Sequence, residues 1–272
     1  MMKIYGRYTW LGLLFVLAFS NAQAQEVLVY DANTDDHVAQ TACTNLGYTC
    51  TVANETDFDT LLNGAAWDLV IMDLPSTDPD GPWQTSLTTY IDGGGLAIQT
   101  GWSSSHFSTL AAVFEVSIAG SHDAVQFYQW DGHSLFSSPN PVPANVTVVD
   151  DSWGTNGFFF TIDALGSAVA AAGFTASPTA DQAASVIGNG GRTIFNGFLF
   201  DDFYPADTDA SGKDDIVEYV ENQMDSLLGG ASGGGAPSSG PVVPVPAIGP
   251  IGLLLMTLML GLMAYFRIQR KS

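Results

Sequence analysis

The chain has 272 residues, 46% of them hydrophobic, so it is long enough to bury a core, and its formal net charge is −21. A field of this sign repels nucleic acid and anionic lipid, and we exclude both as partners of the main body. The charge is unevenly placed, because the two terminal segments contain no acidic residue and most of the basic ones. The part of the chain between the two terminal segments contains all 28 acidic residues and only two basic ones, Arg192 and Lys213. We interpret this as the solvated surface of an exported protein, with a cation-binding role as the alternative.

The N-terminal segment has the pattern of a secretory signal. Lys3 and Arg7 precede an apolar run, which ends in NAQAQ, with small residues spaced as they are before a cleavage site. The apolar run has about half of the ~20 residues that a membrane-spanning helix needs, which argues against an uncleaved anchor. We therefore predict that residues 1–24 are a signal peptide and that the mature chain starts at Gln25.

The next part of the chain alternates strand and helix patterns. In chain order, the stretches are VLVYD, TDDHVAQTACTNLG, YTCTVA, DFDTLLNGA, WDLVIMD, WQTSLTTYIDGGG and LAIQT. The strand stretches are short and almost wholly apolar, as in strands covered on both faces, and the helix stretches end at Gly or Asn. This alternation is typical of right-handed βαβ crossovers, so it predicts a parallel α/β sheet.

The chain has two cysteines, Cys43 and Cys50, seven positions apart. If 36–46 is a helix and 48–53 a strand, the turn at Gly47 brings the two thiols together. A redox pair or a metal site lacks the C-x-x-C spacing and nearby histidines that it needs. We predict a structural disulfide worth about 2 kcal/mol at most, because the closed loop is short.

The second half of the body is predicted to be rich in strands. The strand stretches are AVQFYQW, VTVVD, GFFFTI, SAVAAAGF, ASVIGN and RTIFNGFLF, separated by Gly, Asn and Ser as in antiparallel additions. The stretch DDIVEYVENQMDSLL then predicts an amphipathic helix that packs back on the sheet. No internal repeat or linker divides residues 25–228, so we predict one domain.

The layout of VLVYD, WDLVIMDLP, YIDGGGLAIQTGW, HSLF and RTIFNGFLF resembles the class I glutamine amidotransferase-like fold. The resemblance implies a flavodoxin-like three-layer α/β sandwich with a mostly parallel central sheet and β additions in the second half. In catalytic members, the turn after the fourth strand carries a cysteine nucleophile, followed later by a histidine and an acid. Here that turn reads IQTGW, with Gln99 and Thr100 where the cysteine would stand. The thiolate that attacks an amide is absent.

Another residue near this turn is a candidate nucleophile. Ser103 follows it in TGWSSSHF, and His106, His122 and His133 are candidate bases. The G-x-S-x-G pattern is not matched, because Ser105 replaces its second glycine. The serines equally fit a cap of a helix that starts near His106. Thr100, Ser103, His106 and His133 are therefore the candidate catalytic residues of a serine- or threonine-type hydrolase.

The stretch DTDASGKDDIVE has the ligand spacing of an EF-hand-type calcium loop. The matching side chains are Asp207, Asp209, Ser211, Asp215 and Glu218. Gly212 falls at the position where that loop turns sharply. The preceding RTIFNGFLFDDFY reads as strand and loop, however, where an EF-hand needs a helix. We favour an acidic loop that caps the last helix and complements its dipole, with calcium as the alternative, and we predict no other cofactor.

The C-terminal part reads as a tether followed by a membrane helix. Residues 229–244 are rich in Gly, Ser and Pro, which predicts a flexible linker. Ala247 to Phe266 holds 20 uncharged residues, enough to span a bilayer, and Arg267, Arg270 and Lys271 follow. Clustered positive charge stays on the cytoplasmic side, which places the body outside, as the signal peptide does.

The start of this helix carries a short motif. Val245, Pro246 and Pro250 have V-P-x-x-x-P spacing. With the helix and the basic tip, residues 245–272 resemble the C-terminal sorting segments of PEP-CTERM, IPTL-CTERM and VPxxxP-CTERM proteins. The resemblance implies an exosortase-type membrane peptidase as a partner and a location at the Gram-negative cell envelope or surface. An ordinary C-terminal anchor is the alternative.

Two functions remain open. The first is an exported, surface-sorted binding or structural module that has lost the chemistry of the amidotransferase-like fold. The second is an exported hydrolase of envelope peptide or glycan that works through Ser103 or an acid pair. The tryptophans fit either a sugar- or peptide-binding face or the core: Trp83, Trp102, Trp130 and Trp153. A serine or threonine near a histidine in a cleft favours the hydrolase, and a buried turn with scattered histidines favours the binding module.

Overall fold

The computed structural model describes residues 24–31, 36–73, 81–101, 104–122, 125–130, 133–149 and 159–230. For residues 104–108, 121–122, 159–161, 163 and 230 it describes the backbone alone. All described residues belong to one compact unit, Met1–Gly234. The predicted signal peptide, the linker beyond Gly230, the sorting motif and the C-terminal helix lie outside the described residues. Within these residues, no helix is long and apolar enough to cross a bilayer.

The first half alternates strands and helices as predicted. Its elements are β1 (Glu26–Asp31), α1 (Val38–Asn45), β2 (Thr49–Ala53), α2 (Phe58–Gly64), β3 (Leu69–Asp73), α3 (Trp83–Asp92) and β4 (Ala97–Gln99). Strands β2, β1, β3 and β4 pair in that order, and each pair is parallel. The crossover helices between successive strands make this parallel order possible.

The second half adds mainly antiparallel strands. Its elements are α4 (Ser104–Val113), β5 (Val116–His122), β6 (Gln126–Gln129), β7 (Asn145–Thr147), β8 (Phe159–Ala164), β9 (Val169–Gly173), β10 (Ala183–Gly188), β11 (Thr193–Asn196) and α5 (Asp215–Gly230). Strand β11 joins β4 in parallel and pairs with β10 antiparallel. The sheet then continues through β9, β6 and β7, while β5 pairs with β8 and β8 with β10. Strand β5 was not predicted, because VSIAGSH is short of large apolar residues.

Two hydrophobic cores flank the sheet, because successive strand residues point to opposite faces. Val27 and Val29 belong to one core, which α1 and α5 cover. Leu28 and Tyr30 belong to the other, which α2, α3 and α4 cover. All four side chains are fully buried, and burial of each stabilises the fold by about 1.5–3 kcal/mol. The described body is therefore an α/β sandwich of three layers.

Helix α5 is buried more completely than an amphipathic helix. Ten consecutive residues, from Asp215 to Met224, are buried. The helix lies against α1, β3 and a short 3₁₀ helix at Ser134–Phe136, so little of its surface reaches solvent. It also continues through Gly229 and Gly230, the first two residues of the predicted linker.

A buried polar network joins α5 to the sheet. The Tyr219 hydroxyl donates to Ser185 Oγ at 2.9 Å, and Ser185 Oγ donates to Asn196 Oδ1 at 2.6 Å. Asn196 and Gln223 exchange amide hydrogen bonds of 3.1 and 3.0 Å. Because these groups satisfy one another, the network fixes how α5 sits on β10 and β11.

The predicted disulfide is present. Cys43 of α1 and Cys50 of β2 are bonded, with their Cα atoms 6.2 Å apart. The connecting turn passes through Gly47, whose φ of 73° lies in the left-handed region that favours glycine. Trp83 and Trp130, each 3% exposed, belong to the core and offer no binding face. Trp102 and Trp153 lie outside the described residues.

Candidate functional site

The candidate site lies where the parallel strands end. In open α/β sheets, ligands bind in the crevice outside the carboxyl ends of the strands. At this edge, β1 ends in Asp31, β3 in Asp73 and β4 in Gln99, which Thr100 follows. Asp31 and Asp73 are register partners, so their Cα atoms lie side by side on neighbouring strands. The edge therefore presents two aspartates beside the turn where the resembled family carries its nucleophile.

The turn after β4 is buried and occupied by its own hydrogen bonds. Gln99 and Thr100 are both 0% exposed. The Thr100 N–H donates to Met72 O at 3.0 Å, and the Thr100 hydroxyl donates to Phe198 O. A catalytic nucleophile must reach the substrate and pass its proton to a base. Thr100 instead uses its hydroxyl to hold β4 against the segment that follows β11.

Of the other sequence-predicted catalytic residues, the structure describes the side chain of His133 alone. His133 precedes the 3₁₀ helix, and its Nδ1 accepts the Leu135 N–H at 3.4 Å, while burial lowers the pKa of its imidazole. His106 lies in α4 and His122 at the end of β5, where only the backbone is described. Ser103 lies outside the described residues.

A histidine that sequence reasoning passed over lies at the edge. His37 immediately precedes α1, and its Nδ1 is 2.8 Å from Asp31 Oδ2. The Asp31 side chain is 2% exposed and that of His37 is 55% exposed. A carboxylate behind Nδ1 orients an imidazole and fixes its tautomer, as in catalytic triads. The backbone of His37 has a φ of 50°, a conformation that is uncommon for residues other than glycine and is enriched at functional sites.

Asp73 is the most perturbed group at this edge. It is 1% exposed, and neither of its carboxyl oxygens has a hydrogen-bond partner among the described residues. Burial raises the pKa of Asp73 well above its usual value, and the carboxylates of Asp201 and Asp31 raise it further. The nearby Ala39 N–H, at the start of α1, offsets this in part, although it lies outside hydrogen-bond geometry. Asp73 therefore holds its proton to a higher pH than an exposed aspartate does.

Asp201, which follows β11, completes the group that we name the edge cluster: Asp31, Asp73, Asp201 and His37. Asp73, whose pKa is raised by burial, can act as an acid or a donor, and a neighbouring imidazole can act as a base or an acceptor toward a polar ligand. The sequence carried a signal for two of them, because VLVYD and VIMD are apolar strands that each end in a single aspartate.

The acidic loop between residues 207 and 218 is a second group of carboxylates. Carboxylate oxygens of Asp207, Asp209 and Asp215 lie within 4.8 Å of one another. Asp215 is the first residue of α5, and its carboxylate accepts the Thr208 N–H and hydroxyl at 3.1 and 2.6 Å. The preceding elements are β11 and a 3₁₀ helix, so the entry helix of an EF-hand is absent from the described residues, as the sequence indicated.

No protein-family model matches the sequence, and no curated protein sequence matches it. Solved structures do resemble it. A putative GMP synthase component from Thermoplasma acidophilum has a TM-score of 0.52 and 12% identity, over 77% of this chain and 96% of that chain. A glutamine amido transferase from Methylobacillus flagellatus has a TM-score of 0.49 and 9% identity, over 80% and 99% of the two chains.

A putative ThuA-like protein from Bacteroides uniformis has a TM-score of 0.48 and 10% identity, over 78% of this chain and 95% of that chain. At such low identities, a structural likeness shows a shared fold and carries no activity with it. The described body therefore shares the α/β fold of the putative GMP synthase component.

Proposed function

We propose that the chain is an exported, envelope-sorted binding module that keeps the amidotransferase-like scaffold without its hydrolytic chemistry. The observation that carries this proposal is the turn after β4. Thr100 is fully buried there and its hydroxyl is bonded to Phe198 O. A group in this position lacks the exposure that a nucleophile needs, and its hydroxyl donates to a carbonyl oxygen instead of to a base.

The edge cluster supports a binding role for the same crevice. His37 is more than half exposed and is held by the buried Asp31. Asp73 lies on the neighbouring strand but is buried, so the exposed His37 ring is the group that a ligand can reach. An imidazole exchanges hydrogen bonds with hydroxyl and amine groups, so the ligand that fits this edge is a sugar or an amine-bearing molecule.

Three features support export. The Cys43–Cys50 disulfide suits an oxidising compartment. The sequence of residues 1–24 fits a signal peptide, and residues 245–272 fit a sorting segment read by an exosortase-type peptidase. We expect the protein in the envelope fraction, with a first residue near Gln25 by mass spectrometry. A chain recovered from the cytoplasm with Met1 intact contradicts this part of the proposal.

The absence of chemistry is tested on the full-length protein with peptide, ester and glycan substrates. The expected result is no turnover above that of buffer, with a catalytic amidotransferase and a serine hydrolase as positive controls. Turnover that Thr100→Ala abolishes, in a variant that keeps the thermal transition of the parent, contradicts the proposal.

A second candidate function rests on the edge cluster. An oriented imidazole at His37 can act as a base and Asp73, whose pKa is raised by burial, as an acid, so hydrolysis of envelope glycan or peptide by activated water is the alternative. If the wild-type chain hydrolyses such a substrate, the His37→Gln and Asp73→Asn variants decide where. Loss in these two and retention in His133→Gln, the matched control, supports the hydrolase.

A further inference from the structure

The segment from Asp207 to Glu218 carries oxygen atoms at alternate positions around a tight turn. We propose that this loop binds one calcium ion, with ligands from five side chains and one backbone carbonyl. The proposed ligands are Asp207, Asp209, Ser211, the carbonyl oxygen of Lys213, Asp215 and Glu218.

The carboxylates have the separation that one ion requires. Calcium binds oxygen at about 2.3–2.6 Å, so ligand atoms around a single ion lie up to about 5 Å apart. Oxygen atoms of Asp207, Asp209 and Asp215 lie within 4.8 Å of one another. Asp207 and Asp209 are exposed at the mouth of the group, and Asp215 is buried at its base. One ion can therefore contact all three without a change of the backbone.

The turn brings two further oxygen atoms together. Ser211 Oγ lies 3.3 Å from the Lys213 carbonyl oxygen, at the fifth and seventh positions of the loop. Asp207 fixes this turn, because its two carboxylate oxygens accept the N–H groups of Ser211 and Gly212, both at 2.9 Å. Gly212 has a φ of 90°, which permits the sharp bend.

Glu218 provides the observation that points to a ligand. It is 2% exposed, and its Oε2 has no hydrogen-bond partner in the described part of the chain. Ser211, Asp209 and Lys213 all lie close enough to its carboxyl group to affect it, so the group faces the loop. A buried carboxylate oxygen without a partner is costly, and a cation beside it removes that cost.

The basic residue of the loop makes its ion pair with an acid outside the proposed ligands. Lys213 Nζ is 2.7 Å from Glu221 Oε2 and also donates to Asn140 at 3.5 Å. Glu221 is 1% exposed, so Lys213 compensates a buried charge on the next turn of α5. The loop carboxylates therefore lack a charge partner among the described side chains that is placed as closely as Lys213 is to Glu221.

The chemistry of the ligands selects calcium among common metals. All six are oxygen atoms, and the loop holds no His or Cys of the kind that zinc and copper prefer. Magnesium usually keeps several waters and uses one or two carboxylates, whereas calcium accepts six to eight oxygen atoms in flexible geometry. A loop that supplies four carboxylates, a hydroxyl and a carbonyl matches calcium.

The test is isothermal titration of CaCl₂ into full-length protein stripped of metal with EDTA, alongside thermal melting. We expect one site with a Kd of about 10⁻³ M or tighter, the range of extracellular modules. Glu218→Gln and Asp209→Asn each remove a ligand charge and should weaken binding at least about tenfold. Because Asp209 is exposed, that variant keeps the fold even if Glu218→Gln disturbs α5.

The matched control is Asp214→Asn, which changes the loop charge by the same amount but removes none of the proposed ligands. It should retain the calcium affinity within about threefold, since it alters only the nearby field. Three results overturn the proposal. They are no binding at millimolar calcium, equal binding of magnesium, and a loss in Asp214→Asn as large as in Glu218→Gln.

Discussion

The edge cluster and the acidic loop are both rich in carboxylates, but these groups differ in burial and in hydrogen bonding. At the edge, Asp31 and Asp73 are held by neighbouring strands, and Asp73 lies inside the fold with no hydrogen-bond partner for its carboxyl oxygens among the described residues. In the loop, Asp207 and Asp209 are exposed and accept backbone N–H groups. Burial at the edge favours the protonated form of Asp73, whereas the carboxylates of the loop converge where we propose that a cation binds.

The difference shows that the cost of burying a carboxyl oxygen without a hydrogen-bond partner can be lowered in two ways, by a proton or by a metal ion. Asp73 has other carboxyl groups as neighbours, so within the described structure the cost of its burial is lowered by protonation. Glu218 faces a loop whose oxygen atoms converge at ligand distances, so a metal ion is available to it. The first predicts a dependence of stability on pH, and the second a dependence on calcium.

The largest expected effect is stabilisation by calcium. A ligand at 100 times its Kd stabilises the folded state by about 2.7 kcal/mol, because it binds that state alone. By chemical denaturation with calcium and with EDTA, we expect this gain for the parent chain and for Asp214→Asn, and at most about half of it for Glu218→Gln at the same calcium concentration. If the parent chain is equally stable with saturating calcium and with EDTA, the loop does not bind calcium.

The second effect is a stabilisation by Asp73→Asn at neutral pH. The pKa of Asp73 is raised in the folded state, so that state binds more protons than the unfolded chain, and stability falls as the pH rises from about 3.9 through the folded pKa. Removing the ionisable group removes this loss. We expect a gain of about 1–3 kcal/mol at pH 7 that disappears below about pH 4.

The measurement is the unfolding free energy of both chains across this pH range. Asp68→Asn, at an exposed position just before β3, is the matched control and should show no such trend. A lower stability of Asp73→Asn at pH 7 means that the carboxylate is ionised and well partnered, which contradicts our description of the edge.

A third effect concerns the turn after β4. Thr100→Ala removes the hydroxyl that donates to Phe198 O and should destabilise the chain by about 1 kcal/mol, the usual net value of one hydrogen bond. Thr100→Ser keeps the hydroxyl and is the control, with a smaller loss. An unchanged unfolding free energy in Thr100→Ala indicates that the turn does not depend on this bond.

The smallest effect is expected at His37. Its imidazole is 55% exposed, and the glutamine that replaces it keeps an N–H group that can donate to the buried Asp31. His37→Gln should therefore change the unfolding free energy by less than about 1 kcal/mol while changing affinity for a ligand of the edge. A large loss of stability assigns the pair a structural role instead.

Sequence patterns predicted the features whose partners are close along the chain. The alternation up to β4, the disulfide across the Gly47 turn and the spacing of the acidic loop depend on local periodicity, and the structure contains each of them. Strand β5 was not predicted, because its small and polar residues lack the alternation of a half-buried strand.

Features that depend on distant partners could not be read in this way. Asp31 and Asp73 lie far apart in sequence and meet only through the pairing of β1 with β3. The full burial of α5 depends on α1 and the 3₁₀ helix at its sides, which the periodicity of α5 alone does not reveal. His37 became a candidate only when the end of β1 placed Asp31 beside it.

The central claim, that the scaffold has lost the chemistry of its turn after β4, is tested most directly by release of ammonia from glutamine. We predict that the full-length chain releases ammonia no faster than buffer, and that Thr100→Ala and Thr100→Ser give the same result, while a catalytic amidotransferase assayed in parallel is active. Release above the buffer rate that Thr100→Ser keeps and Thr100→Ala loses, with both variants folded, contradicts the claim.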